Sequence, residues 1–251
     1  MSRTIVFYGG DTQVGTTMTA LAAAESLAKS GQRVLFLNLS GVPGDAYLPF
    51  GAPVSVDDLR AGLLDESLSE AEFRQTLISC RGVDVLPGVR NWQSSRVFPK
   101  TSVEAILTIA DKEWDYVIAD GGCGVSEGLG IQAVRCFDLR IVVVTQQEKT
   151  LDRYRRQSEI LKEIISDNRM FLINKFNDNG AFYTVKQMAE RLDCSMEQVL
   201  TVPYVPYGWQ AEAEHVTLMN FHRFRKGILR LAEYILKREK TESGDTVNAG
   251  I

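Results

Sequence analysis

The stretch TIVFYGGDTQVGTT, Thr4 to Thr17, decides the fold: a β-branched and aromatic run (Thr4 to Tyr8) enters a glycine-bearing loop (Gly9 to Gly15). Thr17 to Lys29 follows with alanine and leucine at helical spacing, and Gly31 stands where a helix C-cap needs it. Arg33 to Leu39 (RVLFLNL) is then a near-continuous apolar run, the pattern of a parallel strand covered on both faces. The opening therefore predicts a βαβ unit. Working outward, short apolar runs recur at Val83 to Pro87, Tyr116 to Ala119, Arg140 to Val144, Met170 to Ile173 and Val199 to Val202. Helical patterns separate most of them, at Val103 to Lys112, Leu151 to Ile165 and Val185 to Leu192. Alternation of this kind predicts an α/β fold, a doubly wound and mainly parallel sheet flanked by helices.

Size and charge agree with one globular unit. The chain has 251 residues, 45% hydrophobic and 24% charged, which excludes collagenous, coiled-coil and wholly disordered classes. Twenty-eight Lys and Arg against 32 Asp and Glu give a net charge of −4, without the overall basic bias of a general nucleic-acid binder. Gly41 to Pro53, with three prolines and three glycines, predicts a long irregular loop. A single domain over residues 1–240 and a mobile polar tail over 241–251 are the expected organisation. The first apolar run is too short for a signal segment and no 18-residue apolar stretch follows, so a cytoplasmic location is expected. Cys80, Cys123, Cys136 and Cys194 are too widely spaced for a zinc site or disulfide framework and are read as buried thiols. His215 and His222, seven residues apart, do not suggest a metal site, and Trp92, Trp114 and Trp209 look scattered.

In doubly wound sheets the ligand sits at the carboxyl ends of the strands, where the first strand here runs into Gly10-Asp-Thr-Gln-Val-Gly15-Thr16-Thr17. This fits GxxxxGK[ST] except at the lysine. Backbone N–H groups of such a loop and the helix N-terminus can cradle phosphate, and the last hydroxyl, Thr17, can ligate magnesium. Thr16 stands where a lysine would reach the β- and γ-phosphates, so the largest point charge of the usual site is absent. A dinucleotide fingerprint fits less well: the glycine spacing is wrong and the second strand offers only Asn38 in place of an acid.

The loop, the second strand and the segment WDYVIADGG, Trp114 to Gly122, together resemble the ParA/MinD family of P-loop ATPases with a deviant Walker A motif. The resemblance covers most of the chain. It implies a lysine just after the first loop glycine and another before the threonine, where this sequence has Asp11 and Thr16. It implies an Asp-x-Asp at the end of the second strand, where the matching positions are Asn38 and Ser40. Asp120 matches the Walker B aspartate that holds magnesium through water. Asn174, in FLINKF, matches an asparagine that contacts adenine, and Pro203, in TVPYVPY, lies in the turn that flanks the base. The implied nucleotide site is thus Gly10, Asp11, Gln13, Val14, Gly15, Thr16, Thr17, Met18, Asn174 and Pro203, with Thr17 and Asp120 at magnesium and ATP or ADP as the cofactor, weakly bound, or none if the loop is a relic.

Losing one charged contact of this kind costs about 10² to 10⁵ in rate, so losing several predicts weak or no hydrolysis and no assigned catalytic residue. Lys149, Arg153, Arg155 and Arg156 could approach the site, but the three arginines are read first as a solvated helix face or a partner surface. The stretch Phe221 to Lys237 places Phe221, Phe224, Ile228, Leu231 and Ile235 on one helical face; covering the sheet is expected over lying on a membrane. The resemblance therefore implies a homodimeric scaffold with a degenerate Walker A motif, gated by nucleotide or independent of it. It would serve the positioning or assembly of a pilus, secretion or partition machine through a protein partner, as in TadZ-like and CpaE-like proteins, and nucleic acid is not expected as a partner. The alternative is an active ATPase that draws its missing cation from Lys149, Lys175 or a second subunit.

Overall fold

The computed structural model describes residues 1–43, 53–123, 128–162, 164 and 168–245. Most of the loop expected over Gly41 to Pro53, and the last six residues of the expected tail, lie outside these. Eight strands form one sheet: β1 (Arg3–Gly9), β2 (Val34–Asn38), β3 (Ile78–Cys80), β4 (Val83–Leu86), β5 (Tyr116–Cys123), β6 (Leu139–Val144), β7 (Arg169–Phe176) and β8 (Val199–Pro203). Their order is β3-β4-β2-β5-β1-β6-β7-β8, and every pairing is parallel except β3 with β4.

Seven of these strands coincide with the apolar runs. The exception, β3, is three residues long and turns into β4 through Arg81 and Gly82, both at positive φ (52° and 82°), as a two-residue hairpin turn requires. Its ISC sequence is too short and too polar to show a period.

Both faces of the sheet are covered, and period-two alternation sorts the side chains. Ile5 and Phe7 of β1 join one core with Leu21 and Leu27 of α1 (Thr16–Lys29) and Phe224, Ile228, Leu231 and Ile235 of α9 (His222–Asp245). Val6 and Tyr8 join the opposite core with Val103 and Ile106 of α4 (Ser102–Ala110) and Leu129 and Ala133 of α5 (Leu129–Cys136). A third cluster seats α6 (Glu148–Leu161) and α7 (Val185–Leu192) on β6, β7 and β8. The short helices α2 (Arg60–Leu64), α3 (Glu70–Gln75) and α8 (Gly208–Ala213) complete the chain.

The helix α9 continues to Asp245, five residues into the stretch expected as a polar tail, since extending a helix already anchored on the sheet costs little even across Gly244. One expectation needs correction here. Of the four cysteines only Cys80 is buried; Cys123, Cys136 and Cys194 are half-buried, and all four are unbridged. The apolar stripe of α9 is spent on the sheet, and among the described residues no helix is long and apolar enough to cross a membrane.

Register explains why one edge of the sheet collects the chemistry. Asn38 of β2 pairs with Asp120 of β5, which pairs with Phe7 of β1, and Gly9 pairs with Val143 of β6. The ends of four strands therefore reach the same level beside the loop that leaves β1.

Candidate functional site

The loop between β1 and α1 is held from below and from one side. A side chain at Gly9 would put a Cβ 2.6 Å from Thr16 Oγ1, and one at Gly10 would lie 2.9 Å from Val144 Cγ1 and 3.2 Å from Tyr154 Cβ, so the loop sits directly on β6 and α6. Gln13 and Gly15 both adopt positive φ (59° and 91°), which folds the loop back toward α1.

From the far side, β7 pins it. Asn174 Nδ2 donates to Val14 O at 2.8 Å and Lys175 Nζ donates to Gln13 O at 2.9 Å. Successive strand residues ordinarily point to opposite faces. Here the β7–β8 register shifts between Ile173 and Phe176, with Lys175 at φ 55°, and the bulge lets both side chains reach one loop. The resemblance implies a base contact for Asn174; the structure shows its amide holding the β1–α1 loop, a role that only the bulge reveals.

Gly15 caps α1 in a left-handed conformation and no side chain caps the helix, so the first-turn N–H groups have no side-chain partner at that end. Thr17 Oγ1 donates to Asp120 Oδ2, and the second carboxylate oxygen accepts from Gly122 N at 2.9 Å. Asn38, beside Asp120 in register, accepts from Ser40 Oγ at 2.8 Å. The two positions where the resemblance implies acids thus bond to each other. Neutral groups of this kind cannot take a proton from an attacking water.

The Asp11 side chain is only 7% exposed, yet it is charged. Burial by itself pushes its carboxyl up. The bond from Arg153, the Thr12 N–H at 2.7 Å and the charges of Arg153 and Lys149 outweigh that and hold it below the ordinary carboxylate value. Arg153 of α6 is exposed, as the charge run suggested, but its Nη1 reaches back to Asp11 Oδ1. Arg155 does fit that expectation, pairing with Asp152 one turn away. Burial also pushes the nearby Cys123 thiol up, and the charges of Asp120 and Asp11 add to it.

A cleft of about 770 Å³ opens over the loop. Of the residues named from the sequence, Asp11, Gln13, Gly15, Thr16, Thr17, Met18, Asp120, Asn174 and Pro203 line it; Gly10 and Val14 do not, since Gly10 is packed under α6 and the Val14 side chain is in the core. The sequence missed its rim. Trp92 and Trp209, which looked scattered, both line the cleft and are 68% and 74% exposed, whereas Trp114 is buried with its indole N–H on Asp84 Oδ2 at 2.9 Å. Their positions 92 and 209 have no sequence relation; only the fold, which turns the segment after β4 and helix α8 toward one cleft, places both on its lining.

These groups fit a magnesium nucleotide in part. The adjoining Thr17 hydroxyl and Asp120 carboxylate are hard oxygen donors of the kind magnesium takes alongside phosphate, and the uncapped helix N-terminus suits an anion. The loop itself supplies no cation: Thr16 is 9% exposed, with its hydroxyl against Gly9.

No protein-family model and no curated protein sequence matches the chain. Solved structures do. A ParA family ATPase from Chlorobium tepidum superposes with a TM-score of 0.79 at 16% identity, over 92% of this chain and 99% of that one. MinD from Aquifex aeolicus, in its complex with MinC, gives 0.76 at 19% identity over 94% and 96%. MinD from Pyrococcus horikoshii with Mg-ADP gives 0.76 at 16% identity over 94% and 96%. The chain therefore has the P-loop fold of the ParA and MinD ATPases.

Proposed function

We propose that the chain is a positioning or assembly protein that binds ATP or ADP with magnesium over the loop Gly9 to Gly15 and turns nucleotide over slowly or not at all. In this reading two copies meet across the nucleotide face and present a surface to a protein partner of a pilus, secretion or partition machine. The observation that carries the reading is the Asn38–Ser40 hydrogen bond beside an intact Thr17–Asp120 pair: the groups for magnesium persist and those for activating water do not. The MinC:MinD complex supports a protein partner by analogy of fold. Spending of the α9 stripe on the sheet argues against a membrane-lying helix.

A second reading, an active ATPase with its cation supplied from elsewhere, is favoured by the presence of Arg153 at the loop. Calorimetric titration with ATP and ADP, with and without magnesium, beside light scattering and a phosphate-release assay, separates the two. The expected outcome is magnesium-dependent binding, an ATP-induced rise from monomer to dimer mass and no phosphate release. Asp120→Ala should remove the magnesium dependence. Steady phosphate release that Asp120→Ala abolishes would establish the second reading instead, and absence of binding to either nucleotide would overturn both.

A further inference from the structure

The phosphate loop carries no cation, yet cations surround it. Lys175 is engaged with Gln13 O on one flank. On the other, Arg153, Arg156 and Gln157 of α6 line a cavity of about 370 Å³ together with Asp11, Thr12 and Cys123. Asp11, Thr12 and Cys123 also line the main cleft, so the space that Arg153 borders adjoins it.

The helix that delivers it is fixed by other means. Leu151 and Tyr154 are buried, Tyr154 packs on Gly10 and edge-on to Phe171 at 5.4 Å, and Gln157 accepts from the Tyr8 hydroxyl at 2.9 Å. The Asp11–Arg153 pair is therefore not needed to dock α6. A buried carboxylate in a phosphate loop repels the ligand unless neutralised, and here its partner neutralises it and keeps donors to spare: a guanidinium has five N–H donors, Nη1 goes to Asp11, and the side chain stays 45% exposed toward solvent.

We propose that Arg153, held by Asp11, is the cation this site presents to the terminal phosphate of a bound nucleoside di- or triphosphate, in place of the loop lysine that Thr16 replaces. Asp11 is its positioning residue. The inference rests on the nucleotide reading above and adds the source of the charge: it comes from α6 of the same chain, so phosphate recognition needs no second copy.

The test is calorimetric titration of the full chain with Mg-ADP. Arg153→Gln keeps an N–H for Asp11 but removes the charge, and Asp11→Ala/Arg153→Ala removes both partners so that no carboxylate is stranded. Each should remain folded by circular dichroism and bind about tenfold to a hundredfold more weakly, the range for losing a charge-assisted bond. Adding Thr16→Lys to the double variant should restore affinity, which a mere brace would not do. Asp11→Asn should weaken binding a few-fold and steepen its loss with salt, since an unheld guanidinium is more readily screened. Folded variants that bind within twofold of the parent would overturn the role of Arg153 while leaving nucleotide binding intact. A parent chain that binds no nucleotide would overturn the nucleotide reading and the role of Arg153 together, a result distinct from the first.

Discussion

Two buried carboxylates, each met by an arginine from a distant part of the chain, behave differently. Glu25, inside α1, is 2% exposed and is closed on all sides: Arg81 Nε donates to it at 2.6 Å, Thr217 Oγ1 donates at 2.8 Å, and Arg81 Nη1 goes on to His215 O at 3.0 Å. It ties α1, the β3–β4 turn and the segment before α9 into one knot. Asp11 is nearly as buried, but its arginine borders the small cavity that adjoins the cleft and reaches it through Nη1. Location explains the difference: Glu25 lies among helices and a hairpin, Asp11 at the edge where strand ends converge. The first pair is consumed by the fold; the second keeps capacity for a ligand.

The largest effect expected from this comparison is on stability. Arg81→Ala strands a buried charge and should cost about 3–5 kcal/mol in chemical denaturation, the range for breaking a buried pair by removing one partner. Arg153→Ala should cost less, roughly 1–2 kcal/mol, because its head group is half in solvent and Asp11 can draw water from the cleft. Equal losses for the two variants would erase the distinction and make Asp11–Arg153 a second structural knot.

A smaller, pH-dependent effect sharpens it. The folded Asp11 carboxyl lies below its ordinary value, so it binds protons less readily than in the unfolded chain; its stabilising contribution is complete above that ordinary value and is lost as pH falls through it. Asp58 and Asp115 are held low in the same direction by Arg90 and Arg33, and they act equally in any Asp11 variant. The stability difference between the parent chain and Asp11→Asn should therefore be constant from about pH 6 to 8 and shrink below about pH 4. A difference that persists unchanged to pH 3 would mean that the Asp11 charge contributes nothing to folding.

How much of this was legible in the sequence follows from what each feature depends on. The strands were readable because a parallel sheet covered on both faces needs unbroken apolar runs, and RVLFLNL or RIVVV can hardly be anything else. The hairpin strand β3 was not, since three residues have no period. Thr17 and Asp120 were found because loop spacing and strand ends fix them locally. The contact of Arg153 with Asp11 was not legible, because nothing in the sequence shows that Gly10 lets α6 approach closely enough to bring residues 11 and 153 together. The convergence of Asn174 and Lys175 depends on a bulge, and the presence of Trp92 and Trp209 on one cleft depends on the fold; both are tertiary facts without a local sign.

The smallest effect tests whether α6 stands on packing alone. The Tyr154 ring fills the space between Gly10 and Phe171, but its hydroxyl is buried with no hydrogen-bond partner among the described residues, and burial pushes its ionisation upward. An unpaired buried hydroxyl costs free energy that the ring's contacts must offset. Tyr154→Phe keeps the ring and removes the cost, so thermal denaturation should show a gain of up to about 1 kcal/mol, with Mg-ADP affinity unchanged because Arg153 is still delivered to Asp11. A loss of stability would reveal that the hydroxyl has a partner in solution. A loss of affinity at unchanged stability would show instead that the placement of Arg153 depends on this hydroxyl, and the helix would then be part of the ligand site rather than only its support.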